Sequence, residues 1–186
     1  MGRGGRLDAL EKKNEARETL QKAAELEKDS PVARYELAKF YAGNKDVENT
    51  EKILRSIAED YPEETQHSLH LASFYLNTGQ IKQAEAELKE TIEKSPHIFQ
   101  PYRVLAHLYR MKKDASKAEK ILQQAIQNVP DSIQPLLSLG DLYVSLDKSE
   151  KAAAQFQKAA KLFPKAPQPQ RALAKLYFAR KQLDKA

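Results

Sequence analysis

Apolar positions along this chain fall in clusters spaced like one face of a helix. Leu71, Ala72, Tyr75 and Leu76 follow i, i+1, i+4, i+5, and Ala84, Leu88 and Ile92 follow i, i+4, i+8; both spacings belong to a helix with a buried side. Asn77-Thr78-Gly79-Gln80 lies between them as a short polar turn. The stretch therefore predicts two antiparallel helices, roughly Thr65 to Thr78 and Ile81 to Lys94.

The same pattern recurs. Tyr41, Tyr75, Tyr109, Tyr143 and Tyr177 stand thirty-four residues apart. Three places before each is a small residue (Ala38, Ala72, Ala106, Gly140, Ala174), and before that a leucine (Leu37, Leu71, Leu105, Leu139, Leu173). Second-helix columns keep the register: Ala84, Ala118, Ala152 and Ala186, with Thr50 in the first copy, and Leu54, Leu88, Leu122 and Phe156. Pro62, Pro96, Pro130 and Pro164 close the units. Proline lacks the backbone N–H and disfavours helix in the residue before it, so it stops each second helix. A fixed period of this length is the signature of stacked repeats, each too small to bury its own apolar face.

Leu71-Ala72-x-x-Tyr75 with Gly79, Ala84, Leu88 and Pro96 resembles the tetratricopeptide repeat, as does Leu139-Gly140-x-x-Tyr143 with Ala152, Phe156, Ala159 and Pro164. The resemblance runs from about Ala16 to Ala186. The family's frequent tryptophan is replaced by Arg34, Ser68, Tyr102, Leu136 and Gln170. It implies an all-α fold, a right-handed superhelix of stacked antiparallel helix pairs. Complete units are expected at 31–64, 65–98, 99–132 and 133–166, and an incomplete one at 167–186. Residues 7–30 match the second helix of a preceding unit. Residues 1–6 are expected to be a disordered stub or vector remnant, too short and polar for a signal peptide. Solenoids need polar caps, and neither end has one. The chain is thus expected to be an excerpt of a longer repeat protein. Leu173, Leu176, Tyr177 and Leu183 would then be poorly covered, and the fragment could self-associate through its ends.

Composition narrows the function classes. Cysteine is absent, which excludes disulfides and thiol chemistry in this segment, and no apolar run reaches the length of a membrane span. The net charge of +5 is concentrated after Val144, where ten basic residues face three acidic ones. Lysines on outward helix faces are an ordinary solvated coat. No aromatic residues interleave them for base stacking, so nucleic-acid binding is the weakest reading.

In the family the first helix of each pair lines the concave side, where peptides or helices of partner proteins lie. The resemblance places candidate groove residues in columns. One is Gln66, Gln100, Gln134 and Gln168, a ladder of amides suited to a peptide backbone. The others hold Leu69, Arg103, Leu137 and Arg171; Ser73, His107 and Asp141; and Leu76, Arg110 and Val144. Arg103, His107 and Arg110 share one helical face. Arginine pairs well with carboxylates, so an acidic or C-terminal peptide group is the natural guest. One family subtype clamps chaperone tails with a lysine–asparagine set. The best-placed residues here, Arg103, His107, Ser138, Gln168 and Ala172, do not supply it.

Chemistry is not signalled. His67 and His70 stand three apart near Glu63 and Glu64, a spacing that can hold a metal, but no metal is expected there. Phosphate loops and nucleophile elbows are missing. No catalytic residue, cofactor or small-molecule substrate is expected. The chain reads as a protein-interaction scaffold; a structural array or spacer of the envelope or secretion type is the alternative. Its residue pattern resembles bacterial or archaeal repeat proteins.

Overall fold

The computed structural model describes residues 3–27 and 30–183. Among the described residues it contains ten α-helices and no strand. They are α1 (Arg3–Leu26), α2 (Val32–Gly43), α3 (Val47–Asp60), α4 (Thr65–Asn77), α5 (Ile81–Lys94), α6 (Phe99–Met111), α7 (Ala115–Asn128), α8 (Gln134–Ser145), α9 (Ser149–Leu162) and α10 (Gln168–Leu183). The all-helical repeat pattern is as expected. The helix at the start begins at Arg3, so the segment expected to be a stub is helical from its third residue. Ala186, the last member of the alanine column, lies outside the described residues.

Local chemistry explains where each helix stops. Helices α3, α5, α7 and α9 end two residues before Pro62, Pro96, Pro130 and Pro164. A left-handed residue follows each of α2, α4, α6 and α8: Lys45 (φ 61°), Gly79 (φ 75°), Lys113 (φ 58°) and Asp147 (φ 55°). The following N–H then folds back to the repeating tyrosine's carbonyl, as in Asp46 to Tyr41 (3.0 Å), Gln80 to Tyr75 (2.8 Å), Asp114 to Tyr109 (2.9 Å) and Lys148 to Tyr143 (2.9 Å). This closure satisfies carbonyls that a helix end leaves unpaired. Two second helices open on an aspartate cap, Asp46 accepting from the Asn49 N–H (3.1 Å) and Asp114 from the Lys117 N–H (3.0 Å).

The chain divides into two compact units, residues 1–87 and 88–186. In the first, α1 packs on α2, α2 on α3 and α3 on α4. Its core gathers Ala38, Leu54, Leu71, Tyr75 and Ala84, with Tyr35, Ile53 and Phe74 at the margin. Thr50, standing in the alanine column, is buried with its hydroxyl satisfied by donating to the Asp46 carbonyl (2.6 Å). In the second unit α6 to α10 pack in sequence order, and α6 also touches α8. Gly140 lies against Phe156 so closely that a Cβ there would sit 2.3 Å from the ring. The small-residue column of the first helices thus drops from alanine to glycine in the one complete repeat where leucine is enlarged to phenylalanine.

The tyrosine column is buried at Tyr75, Tyr109 and Tyr143, while Tyr177 is 50% exposed. Leu176, expected to be poorly covered, is buried, and Leu173 is half-buried.

Candidate functional site

In the second unit, first helices α6, α8 and α10 contribute side chains to two cavities. The i, i+4, i+7 spacing on α6 leaves Arg103, His107 and Arg110 outside the core, while Leu105, Ala106 and Tyr109 point into it. On α8 the same logic exposes Asp141 and Val144 and half-buries Leu137. On α10 it exposes Gln168, Arg171 and Lys175.

Between α8 and α10 lies a cavity of about 510 Å³, lined by Leu137, Asp141 and Val144 on one side and Gln168, Arg171 and Lys175 on the other. Phe156, Ala172, Leu176 and Ala179 give it an apolar lining. A second cavity, about 450 Å³, is bordered by His107, Arg110 and Met111 of α6, Lys113 and Ala115 beyond it, and Leu142, Ser145 and Leu146 at the end of α8. These sizes and mixed linings are those of ordinary ligand clefts. Asp141 links the charges. Partial burial pushes its carboxyl above the usual range, while the positive charges of Arg110 and Lys175 act the other way.

The expected residues are not all alike. His107, Arg110, Leu137, Asp141, Val144, Gln168 and Arg171 line the two cavities. Arg103 donates through Nε to Gln100 Oε1 (3.2 Å) on its own helix, and Gln134 is exposed. Gln66, Leu69, Ser73 and Leu76 belong to the first unit. There Gln66 donates to Glu64 Oε2 (2.9 Å), Ser73 donates to the Leu69 carbonyl (2.7 Å), and Leu76 packs against the core. Gln66 and Gln100 are therefore engaged by neighbours on their own chain.

Two polar features were missed at the sequence level. First, tyrosines of the repeating column bond to the preceding second helix. Tyr75 Oη donates to Glu51 Oε1 (3.0 Å) and receives Arg55 Nη2 (2.6 Å); Tyr143 Oη donates to Glu119 Oε1 (2.8 Å). Burial first, then these carboxylates, push both phenols up to about 12. The signal was available, since Glu51, Glu85 and Glu119 keep the thirty-four-residue period. Second, His67 is 2% exposed and turned towards Tyr35 of α2. That contact joins residues 32 apart, two short of the repeat period, so the columns did not display it.

Three tetratricopeptide-repeat models match the chain, at residues 10–70, 105–132 and 137–186. No curated protein matches it in sequence. Among solved structures, a thermophilic tetratricopeptide-repeat protein of Thermus thermophilus is similar over 94% of this chain and 95% of its own, with TM-score 0.58 and 22% identity. MamA of Desulfovibrio magneticus RS-1 is similar over 82% and 86%, with TM-score 0.56 and 23% identity. Yeast Tom70 is similar over 92% of this chain and 37% of its own, with TM-score 0.64 and 20% identity. At these identities the likeness is one of fold. Repeat period, helix pairing and family matches agree: the chain belongs to the tetratricopeptide-repeat family.

Proposed function

We propose that this chain is a non-catalytic interaction scaffold that holds an acidic protein segment on the α6–α8–α10 face of its second unit. Membership of a family whose members generally serve as interaction scaffolds supports the coarse role. Among the described residues no helix is long and apolar enough to cross a membrane. The observation that carries the finer reading is the cavity between α8 and α10. Its apolar lining is flanked by Arg171 and Lys175, with Arg110 acting electrostatically on Asp141 from α6. An apolar side chain of the guest fills that space, and neighbouring carboxylates meet the guanidinium and ammonium groups.

Selection of binders from a random peptide library, with internal and free C-terminal formats run in parallel, tests this. Enriched peptides should pair a bulky apolar residue with nearby acids and shift amide resonances of α6, α8 and α10. Enrichment of neutral or basic peptides, or shifts confined to other helices, would overturn it. The two formats separate side-chain acids from a terminal carboxylate.

A further inference from the structure

In the first unit a single tyrosine hydroxyl stands between two histidines. Tyr35 Oη is 2.6 Å from His67 Nδ1 and 2.9 Å from His70 Nδ1. His67 Nε2 faces Glu64 Oε2 at 3.2 Å. Glu64 occupies the N-cap position of α4 without capping the backbone, so its carboxylate is directed to side chains. The Tyr61 ring lies 5.2 Å from the His67 ring, centre to centre, and closes the far side.

Donor and acceptor counting fixes the protons. A carboxylate only accepts, so His67 carries its proton on Nε2 and leaves Nδ1 as an acceptor. The Tyr35 hydroxyl donates to that Nδ1. Its one hydrogen is then used, and His70 must present Nδ1–H to the same oxygen. With both imidazoles neutral, the network is therefore Glu64⁻, His67 protonated at Nε2, Tyr35–OH, and His70 protonated at Nδ1. A proton added to exposed His70 at Nε2 breaks no bond. A second proton on the imidazoles has only His67 Nδ1 to occupy. It displaces the Tyr35 hydrogen, which finds no acceptor within the network, and sets two imidazolium charges side by side.

We propose that Glu64, His67, Tyr35 and His70 form a proton-counting latch that fastens α4 to α2, tolerating one added imidazole proton and opening on the second. Surrounding charges fit this assignment. Arg34 of α2 lies over the Tyr61 ring and pairs with Asp60 at the end of α3, so Asp60 is committed and Arg34 adds positive potential. In this unit Glu87 of α5 acts on Arg55 and Tyr75, at the far end of α4. Burial, then the Glu64 charge, push the Tyr35 phenol up to about 12, against the opposing effect of Arg34. The hydroxyl thus keeps its proton throughout the histidine range.

Imidazole nitrogen NMR on the whole chain between about pH 8 and about pH 4, a span that brackets the ordinary histidine value, tests the latch. At the upper end, His67 should show the Nε2–H tautomer and His70 the Nδ1–H tautomer. Their titrations should be split by more than about one pH unit, as coupled sites are. The lower step should coincide with at least about tenfold faster amide exchange in the first turns of α4, the mark of local opening. Tyr35→Phe should shrink the splitting. The same tautomer in both rings, superimposed steps in the native chain, or a splitting unchanged by Tyr35→Phe would overturn the proposal. Should the variant not fold, the native tautomers alone decide.

Discussion

At the scale of single residues, the repeat is tuned by pairs rather than by a consensus. Gly140 exists because Phe156 occupies the space an alanine methyl would need. Gly140→Ala should destabilise the chain by about 1–3 kcal/mol, as over-packing does, and Phe156→Leu in the same background should recover much of that loss. Urea unfolding of the two single variants and the double variant measures the coupling; strictly additive effects would contradict the pairing. The left-handed position after each first helix has the opposite bias. Gly79 suits it, whereas Lys113 at φ 58° does not. Lys113→Gly should raise stability by up to about 1 kcal/mol and Gly79→Ala should lower it by a similar amount.

Elements respond to pH through their caps and cross-helix carboxylates. Hydrogen bonds from Asn49 and Lys117 hold the Asp46 and Asp114 carboxyls below the usual range, and Arg55, then Tyr75, do so for Glu51 against the opposing effect of burial. Each group is a stronger acid folded than unfolded. Its contribution is complete above the ordinary carboxylate value and is lost as pH falls through the folded one. His70 adds to the acid loss from a higher window: burial lowers it from 6.5, so the unfolded chain takes up its proton first as pH falls. Chemical denaturation at stepped pH should show stability declining from just above pH 6.5, then more steeply through the carboxylate range. Removing the Tyr143 hydroxyl with Tyr143→Phe should cost about 1 kcal/mol, the usual worth of such a bond, and leave the helix content measured by circular dichroism unchanged.

For the whole molecule, charge on one face links stability to binding. Asp141 is raised by burial, so the folded state opposes its ionisation. Asp141→Asn should stabilise the free chain at neutral pH, and the gain should shrink as pH falls through the folded value of Asp141. The same variant makes the groove more positive and should tighten an acidic guest, with a gain that fades as salt is added. Reversing Arg103 and Arg110 together to glutamate should weaken that guest at least about tenfold in a calorimetric titration while the unfolding midpoint stays near native. Unchanged affinity would place the guest elsewhere.

The helix pairs, their turns and their core columns were legible in the sequence because each depends on spacing within about one repeat. A period in the residues is a period in the structure when every unit solves the same packing problem. The residues that line the cavities beside α6, α8 and α10 stood in the sequence only as a set of columns. The sequence could not show that Gln66 and Gln100 are engaged by close neighbours, nor that cavities open beside Asp141 and His107. His67 marks the clearest limit. A histidine on a polar stretch reads as exposed, and only packing α4 among its neighbours buries it and hands its ring to Tyr35 of α2. Spacing along the chain determines which residues share a face; which polar groups meet across faces, and with which protons, was decided only once the helices were in contact.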